Sequence, residues 1–171
     1  MKFLFTLTIF FFSATAFCQE QLQQEASGFV TFTSGKVVQL VDAVPDDKLN
    51  WAPSEGVRSF RDVFTHLVSA NYMFGSTLGA TIPSHVNIQT LGSDLQTKDQ
   101  IKKALTDSYD FAIAAIRNTK SESFSTKVEY PFPGEYTKMS SILILLSHST
   151  EHLGQLIAYS RMNGIVPPWN Q

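Results

Sequence analysis

Four long stretches of the sequence repeat apolar residues at intervals of three and four, which is the period of a helix with one buried face. They cover residues 21–44, 59–80, 97–116 and 138–163. Pro45 follows the first stretch, and Gly164 follows the last, as expected where a helix ends. Ser59 and Thr97 open the middle two as N-cap residues. Four amphipathic helices in one chain predict an all-α fold, a four-helix bundle.

The segments between these helices are long, and they carry little strand signal. The best candidate strand covers residues 125–130 and is cut off by Pro131. The links at 82–96 and 120–137 are much longer than the usual connection of about 4–6 residues. Because a bundle built with short turns does not need them, we expect at least one link to cross the end or the length of the bundle.

The first 18 residues are typical of an export signal. Lys2 supplies the positive charge, an apolar run follows over 3–12, and small residues precede the polar residues 19–21. A membrane-spanning helix needs about 20 apolar residues, and this stretch has only about fifteen. We therefore predict a signal peptide over 1–18, a single domain over 19–171, and no stable membrane span.

The position of the signal cleavage site stays open between two bonds. Cleavage after Ala16 or after Cys18 satisfies the preference for small residues. Lipidation of Cys18 is the alternative, and the bulky Phe17 argues against it. If Cys18 is removed with the signal, the mature chain has no cysteine, which suits an oxidising compartment. We expect a periplasmic or secreted protein.

Charge and cysteine content exclude two classes of function. The net charge is −2 and no block of lysine or arginine is present, which argues against a nucleic-acid partner. The chain has one cysteine, so neither an internal disulfide nor a metal site built on several thiolates can form.

Three of the four histidines lie within predicted helices, on faces that lean inward. His148 and His152 stand four apart on the fourth helix, so both rings lie on one face, about a turn apart. His66 lies midway along the second helix. Each could also be a half-buried structural histidine, but bundles build metal sites from side chains on facing helices. Three imidazoles with one open position describe a zinc-type site, and nickel or iron also accepts such ligands.

Two further residues have competing interpretations. Residues 148–152 match the H-x-x-E-H string of some metallopeptidases, in which Glu151 would be the general base. Glu151 lies about 100° around the helix from His152, so we interpret it as a solvated glutamate. His85 lies in a link and is interpreted as a surface residue. We expect metal binding to weaken as pH falls through the imidazole range near about 6.5.

Several motifs in this order resemble the DinB-like superfamily, whose members are DNA-damage-inducible or bacillithiol S-transferase-like bundles. The motifs are PDDKLNWAP at 45–53, VRSFRDVFTHL at 57–67, HSTEHLGQL at 148–156 and YSRMNGIVPP at 159–168. The resemblance implies up-down-down-up helix order with a long crossover between helices two and three. It also implies a metal triad of His66, His148 and His152 that holds one divalent ion of zinc, nickel or iron type. Many members form homodimers.

The sequence supports two functional hypotheses. The first is an exported metalloenzyme, a hydrolase or transferase that acts on an unknown small molecule, with its catalytic residues unassigned. Characterised relatives include thiol transferases that work inside cells, which fits an exported chain poorly. The alternative is a non-catalytic metal- or ligand-binding bundle of the cell envelope. The rings of Trp51, Tyr159 and Trp169 could line a pocket in either case, although packing or surface anchoring suits each of them.

Overall fold

The computed structural model describes the backbone of residues 2–170 and the side chains of residues 21–170. Five helices account for most of the chain, and their bounds are α1 (Lys2–Ala43), α2 (Phe60–Thr77), α3 (Leu91–Asp94), α4 (Lys98–Asn118) and α5 (Lys138–Met162). The all-α prediction is confirmed. The four long helices correspond to the four periodic stretches, except that α1 begins at Lys2, well before residue 21. The predicted signal over 1–18 lies outside the residues whose side chains are described.

The starts of three long helices are set by local hydrogen bonds. Ser59 accepts a bond from the backbone N–H of Asp62, and the Asp62 carboxylate accepts one in return. Thr97 and Gln100 form the same reciprocal box at the start of α4. Thr137 caps α5 in the same way. Each cap satisfies N–H groups that a helix start otherwise leaves unpaired, which contributes about 1 kcal/mol.

The core lies among the four long helices. α1 packs mainly against α4 and α5, and α2 also packs mainly against α4 and α5. Every long helix contributes side chains without solvent exposure, among them Leu40, Phe64, Leu105 and Leu145. Truncating one such leucine to alanine costs about 2–5 kcal/mol. The packing of α2 on α5 brings the histidines of both helices together; the up-down-down-up order itself stays a prediction.

The long links carry short elements of their own. α3 lies in the link between α2 and α4. The link before α5 holds an antiparallel pair, β1 (Lys127–Val128) and β2 (Tyr136–Thr137). The strand predicted over 125–130 is therefore confined to two residues. Pro131 and Pro133, which cannot donate to a ladder, follow in the turn.

A turn of seven residues, 129–135, joins β1 to β2. Gly134 has φ +140°, and a Cβ at this position would lie 2.5 Å from the Tyr136 hydroxyl oxygen. Only glycine fits this turn without displacing that ring.

Within residues 21–170, no helix is long and apolar enough to cross a membrane.

Candidate metal centre

His66, His148 and His152 converge where α2 packs against α5. The Nε2 atom of His148 lies 2.9 Å from Nε2 of His66 and 3.1 Å from Nε2 of His152. One ligand nitrogen from each ring lies within 4.8 Å of the others. Two of the rings come from one face of α5, as the i, i+4 spacing predicts. The third comes from α2, so the cluster depends on the packing of the two helices.

The three rings differ in burial. His152 is 5% exposed, whereas His66 and His148 are half-buried. The ring of Phe74 packs against that of His148 at a centroid distance of 5.5 Å. The cluster therefore lies at the margin of the core. His152 is on its buried side, and His66 and His148 are on the side nearer to solvent.

Hydrogen bonds fix the tautomer of His152. The Tyr159 hydroxyl donates to the carbonyl oxygen of Arg58 at 3.1 Å, so its oxygen accepts from the Gln155 side-chain N–H at 2.8 Å. This orientation turns the Gln155 oxygen toward Nδ1 of His152 at 2.7 Å. Because an amide oxygen only accepts, Nδ1 carries the proton. Nε2 of neutral His152 is then left with a lone pair that points into the cluster.

Burial, together with the positive charge of Arg58, keeps the other two rings neutral. Burial lowers the pKa of His66 to about 4, with smaller contributions from Arg58 and His152. Burial also lowers the pKa of His148 to about 3, helped by its neighbours His152, His66 and Arg58. From the sequence we expect protons to compete with a metal near a pH of about 6.5. With these lower pKa values, protons compete for His66 and His148 only at a pH well below that. Their lone pairs are available at neutral pH.

The donor set fits a transition-metal ion. Two imidazole nitrogens bound tetrahedrally at about 2.0–2.1 Å from one ion are about 3.3 Å apart. The separations of 2.9 and 3.1 Å from His148 approach that value. The three nitrogens together lie within 4.8 Å of one another, so the rings would have to adjust to bind one ion together. A ligand histidine usually donates its second N–H to an acceptor, as His152 does to Gln155. In the part of the chain with described side chains, no other cluster of three histidine, cysteine or acidic residues is close enough.

Comparison with known proteins identifies the family. A family model described as the DinB superfamily matches residues 31–156. The chain belongs to the DinB superfamily. It resembles the crystal structure of a DinB-like protein from Bacillus cereus, with a TM-score of 0.66 and 16% identity over 81% of this chain and 90% of that one.

A second DinB-like structure, from Bacillus subtilis, gives the same TM-score of 0.66 at 15% identity. The match covers 86% of this chain and 97% of that one. At such low identity these two structures support the fold alone. No curated protein matches the chain.

A cavity of about 490 Å³ opens beside the histidines of this DinB-superfamily chain. His66 and His148 form part of its wall. The rest of the wall comes from α2, the α2–α4 link, the turn between β1 and β2, and α5. The centre is therefore accessible from a space large enough for a small molecule, for which sites of about 300–1,000 Å³ are usual.

The other candidate residues do not belong to the histidine cluster. Glu151 is exposed and is not part of the cluster, as its interpretation as a solvated glutamate predicted. His85 is exposed in the α2–α4 link. The ring of Trp51 packs edge-on against Tyr159 at 5.5 Å, and Trp169 lies under the ammonium group of Lys36. The cavity beside the histidines is lined by none of the five candidates, Glu151, His85, Trp51, Tyr159 and Trp169.

Sequence reasoning missed Gln155 and the cavity. The signal for Gln155 was its spacing: it follows His152 by three residues and precedes Tyr159 by four, so all three share one row of α5. The cavity had no comparable signal, since its walls come from four separate segments.

Proposed function

We propose that this protein is an exported metal-dependent enzyme, a hydrolase or transferase that acts on a small molecule. His66, His148 and His152 hold one divalent ion of zinc, nickel or iron type through their Nε2 atoms. The observation that carries the proposal is the convergence of these atoms, with separations of 2.9 and 3.1 Å, together with the tautomer that Gln155 imposes on His152.

Each part of the site has a distinct task. Three protein ligands leave at least one coordination position, and a bound ion supplies a Lewis acid there. Gln155 orients His152, and the low pKa values of His66 and His148 keep each of these rings neutral at neutral pH, with one nitrogen free of a proton. The adjacent cavity gives a substrate access to the open position.

A non-catalytic metal- or ligand-binding bundle of the cell envelope is the second candidate. It is favoured by one observation: the cavity lining contains no carboxylate that could act as a general base. The opening beside His66 and His148 favours the enzyme, because a purely structural metal site is closed by protein ligands. Metal-dependent turnover, lost with the metal, would separate the two.

Elemental analysis of protein purified without a histidine tag tests the centre. We expect about one equivalent of a single divalent metal, whose identity the same measurement gives. His66→Ala should lose it, whereas His85→Ala, which changes an exposed histidine in a link, should keep it. Less than a tenth of an equivalent, unchanged by His66→Ala, would refute the proposal.

Export and assembly need separate measurements. The intact mass of protein recovered from the periplasm or medium should show a chain that begins at Phe17 or Gln19. A lipid-modified Cys18 would indicate anchoring instead, and full-length protein retained in the cytoplasm would contradict export. Light scattering of the purified protein tests the homodimer that the family resemblance implies.

A further inference from the structure

The cavity beside the histidine cluster is lined mostly by apolar side chains. They come from α2, from the α2–α4 link, from the turn between β1 and β2, and from α5. The apolar residues are Ala70, Met73, Phe74, Ile88, Phe132 and Ile144. The lining includes no lysine, arginine, aspartate or glutamate. A charged group that entered this space would lose its hydration without a compensating partner.

The two hydroxyl groups in the lining are already engaged as donors. The Ser69 hydroxyl donates to the Thr65 carbonyl at 3.1 Å, and the Ser76 hydroxyl donates to the Met73 carbonyl at 2.7 Å. Both bonds lie within α2, so these serines present acceptor oxygens but no spare proton. Polar recognition in the cavity is therefore concentrated at His66 and His148.

Phe132 forms the outer part of the wall and is held by its neighbours. Its ring stacks on that of Tyr130 at a centroid distance of 4.8 Å and meets the ring of Tyr136 edge-on at 5.3 Å. The Tyr130 hydroxyl donates to Ser141 on α5 at 2.7 Å. Phe132 nevertheless stays 39% exposed. An apolar ligand in the cavity could cover part of this exposed ring.

We propose that the cavity binds the uncharged, apolar body of the substrate while a polar head group of the same molecule faces His66 and His148. The position of the head group rests on the proposed metal centre. The substrate class is thus small neutral molecules with an aliphatic or aromatic body and one metal-binding group. The lining offers no partner to a charged tail that is buried in the cavity, so such molecules should bind less well. The volume of about 490 Å³ accommodates a body of one or two rings.

A series of hydroxamates tests the proposal on the metal-loaded protein, since the hydroxamate head binds metal in every member. Isothermal titration would compare acetohydroxamate with 3-phenylpropionyl hydroxamate and with succinyl monohydroxamate, whose tail ends in a carboxylate. We expect the phenyl compound to bind about tenfold tighter or more than acetohydroxamate, because it buries apolar area. The carboxylate compound should bind no tighter than acetohydroxamate.

Variants of Phe132 test whether the tighter binding of the phenyl compound comes from the cavity. Phe132→Ala should weaken the phenyl compound at least threefold and leave acetohydroxamate unchanged, whereas Phe132→Leu should retain most of the gain. Phe29→Ala is the matched control, because it removes an aromatic ring that is 60% exposed on α1. It should change neither compound. Circular dichroism would confirm that each variant is folded.

The outcomes separate this proposal from the proposed function. Binding of acetohydroxamate reports the metal centre alone, so equal affinity for all three compounds would overturn the apolar cavity and leave the centre standing. If the protein binds no metal, the neutral dye N-phenyl-1-naphthylamine decides the matter on the metal-free chain. Fluorescence enhancement that Phe132→Ala reduces and Phe29→Ala does not would support the cavity, and absence of enhancement would overturn it.

Discussion

The two sides of the histidine cluster differ in polarity. On one side, His152 is buried and is bonded through Gln155 and Tyr159 to the carbonyl of Arg58. On the other side, His66 and His148 border a cavity with mostly apolar walls. The first side orients a ligand nitrogen, and the second leaves room for a small molecule. Under the proposed function, all three rings would hold the metal, and a substrate would approach it from the side of His66 and His148.

The largest expected effect follows removal of the central ring. His148→Ala should lower metal affinity by more than the roughly 10–100-fold that loss of an outer partner costs, because Nε2 of His148 is the neighbour of both other nitrogens. Competition with a metal indicator would measure it. His85→Ala is the control, and unchanged affinity in His148→Ala would contradict the ligand assignment.

The next largest loss of metal affinity should follow changes on the side of the cluster that contains His152 and Gln155. Gln155→Leu removes the acceptor for His152 Nδ1 and should cost about 10–100-fold in metal affinity. Gln155→Glu keeps an acceptor and should stay within a few fold of the original. The same titration measures both. If the leucine and glutamate variants bind metal equally well, Gln155 has no orienting role.

Acid should destabilise the metal-free protein because His66 and His148, which line the cavity, stay neutral in the folded state. Their pKa values are about 4 for His66 and about 3 for His148 in the folded chain, against about 6.5 when unfolded. As pH falls below about 6.5, the unfolded state takes up protons that the folded state does not, so stability falls. The stability that depends on these neutral rings is complete above that pH and is lost toward pH 4 and below.

Urea unfolding between pH 7 and 4.5 would measure this dependence. The double variant His66→Gln/His148→Gln should lose less stability over that range than the original protein. His85→Gln, which alters an exposed histidine, should leave the slope unchanged. An identical slope in the double variant would show that other groups cause the acid sensitivity.

The smallest effect should come from the cavity-side hydroxyls. Ser69→Ala removes a hydroxyl that donates only to the Thr65 carbonyl of its own helix. We expect metal affinity within twofold and a free energy of unfolding within about 0.5 kcal/mol of the original, as for most substitutions that disturb no buried network. A loss of metal comparable to that of Gln155→Leu would mean that the two sides do not differ as described.

Much of the fold could be predicted from local patterns. The apolar period located the four long helices, and the boxes at Ser59 and Thr97 were recognisable because each partner lies three residues further along. The strand expected at 125–130 is only Lys127–Val128, because the extent of pairing depends on the partner strand Tyr136–Thr137 as well as on local propensity. The depressed pKa values of His66 and His148 were not predictable, because they depend mainly on burial.

The sequence by itself determined which residues share a helix face. The spacing of His148, His152, Gln155 and Tyr159 puts them along one side of α5 whatever packs against it. Only the tertiary structure decided that His66 meets this row, that Arg58 supplies the carbonyl at its end, and that the opposite side opens into an apolar cavity. Helix periodicity is a property of neighbouring residues, whereas these contacts join segments far apart in the chain and exist only once α2 packs on α5.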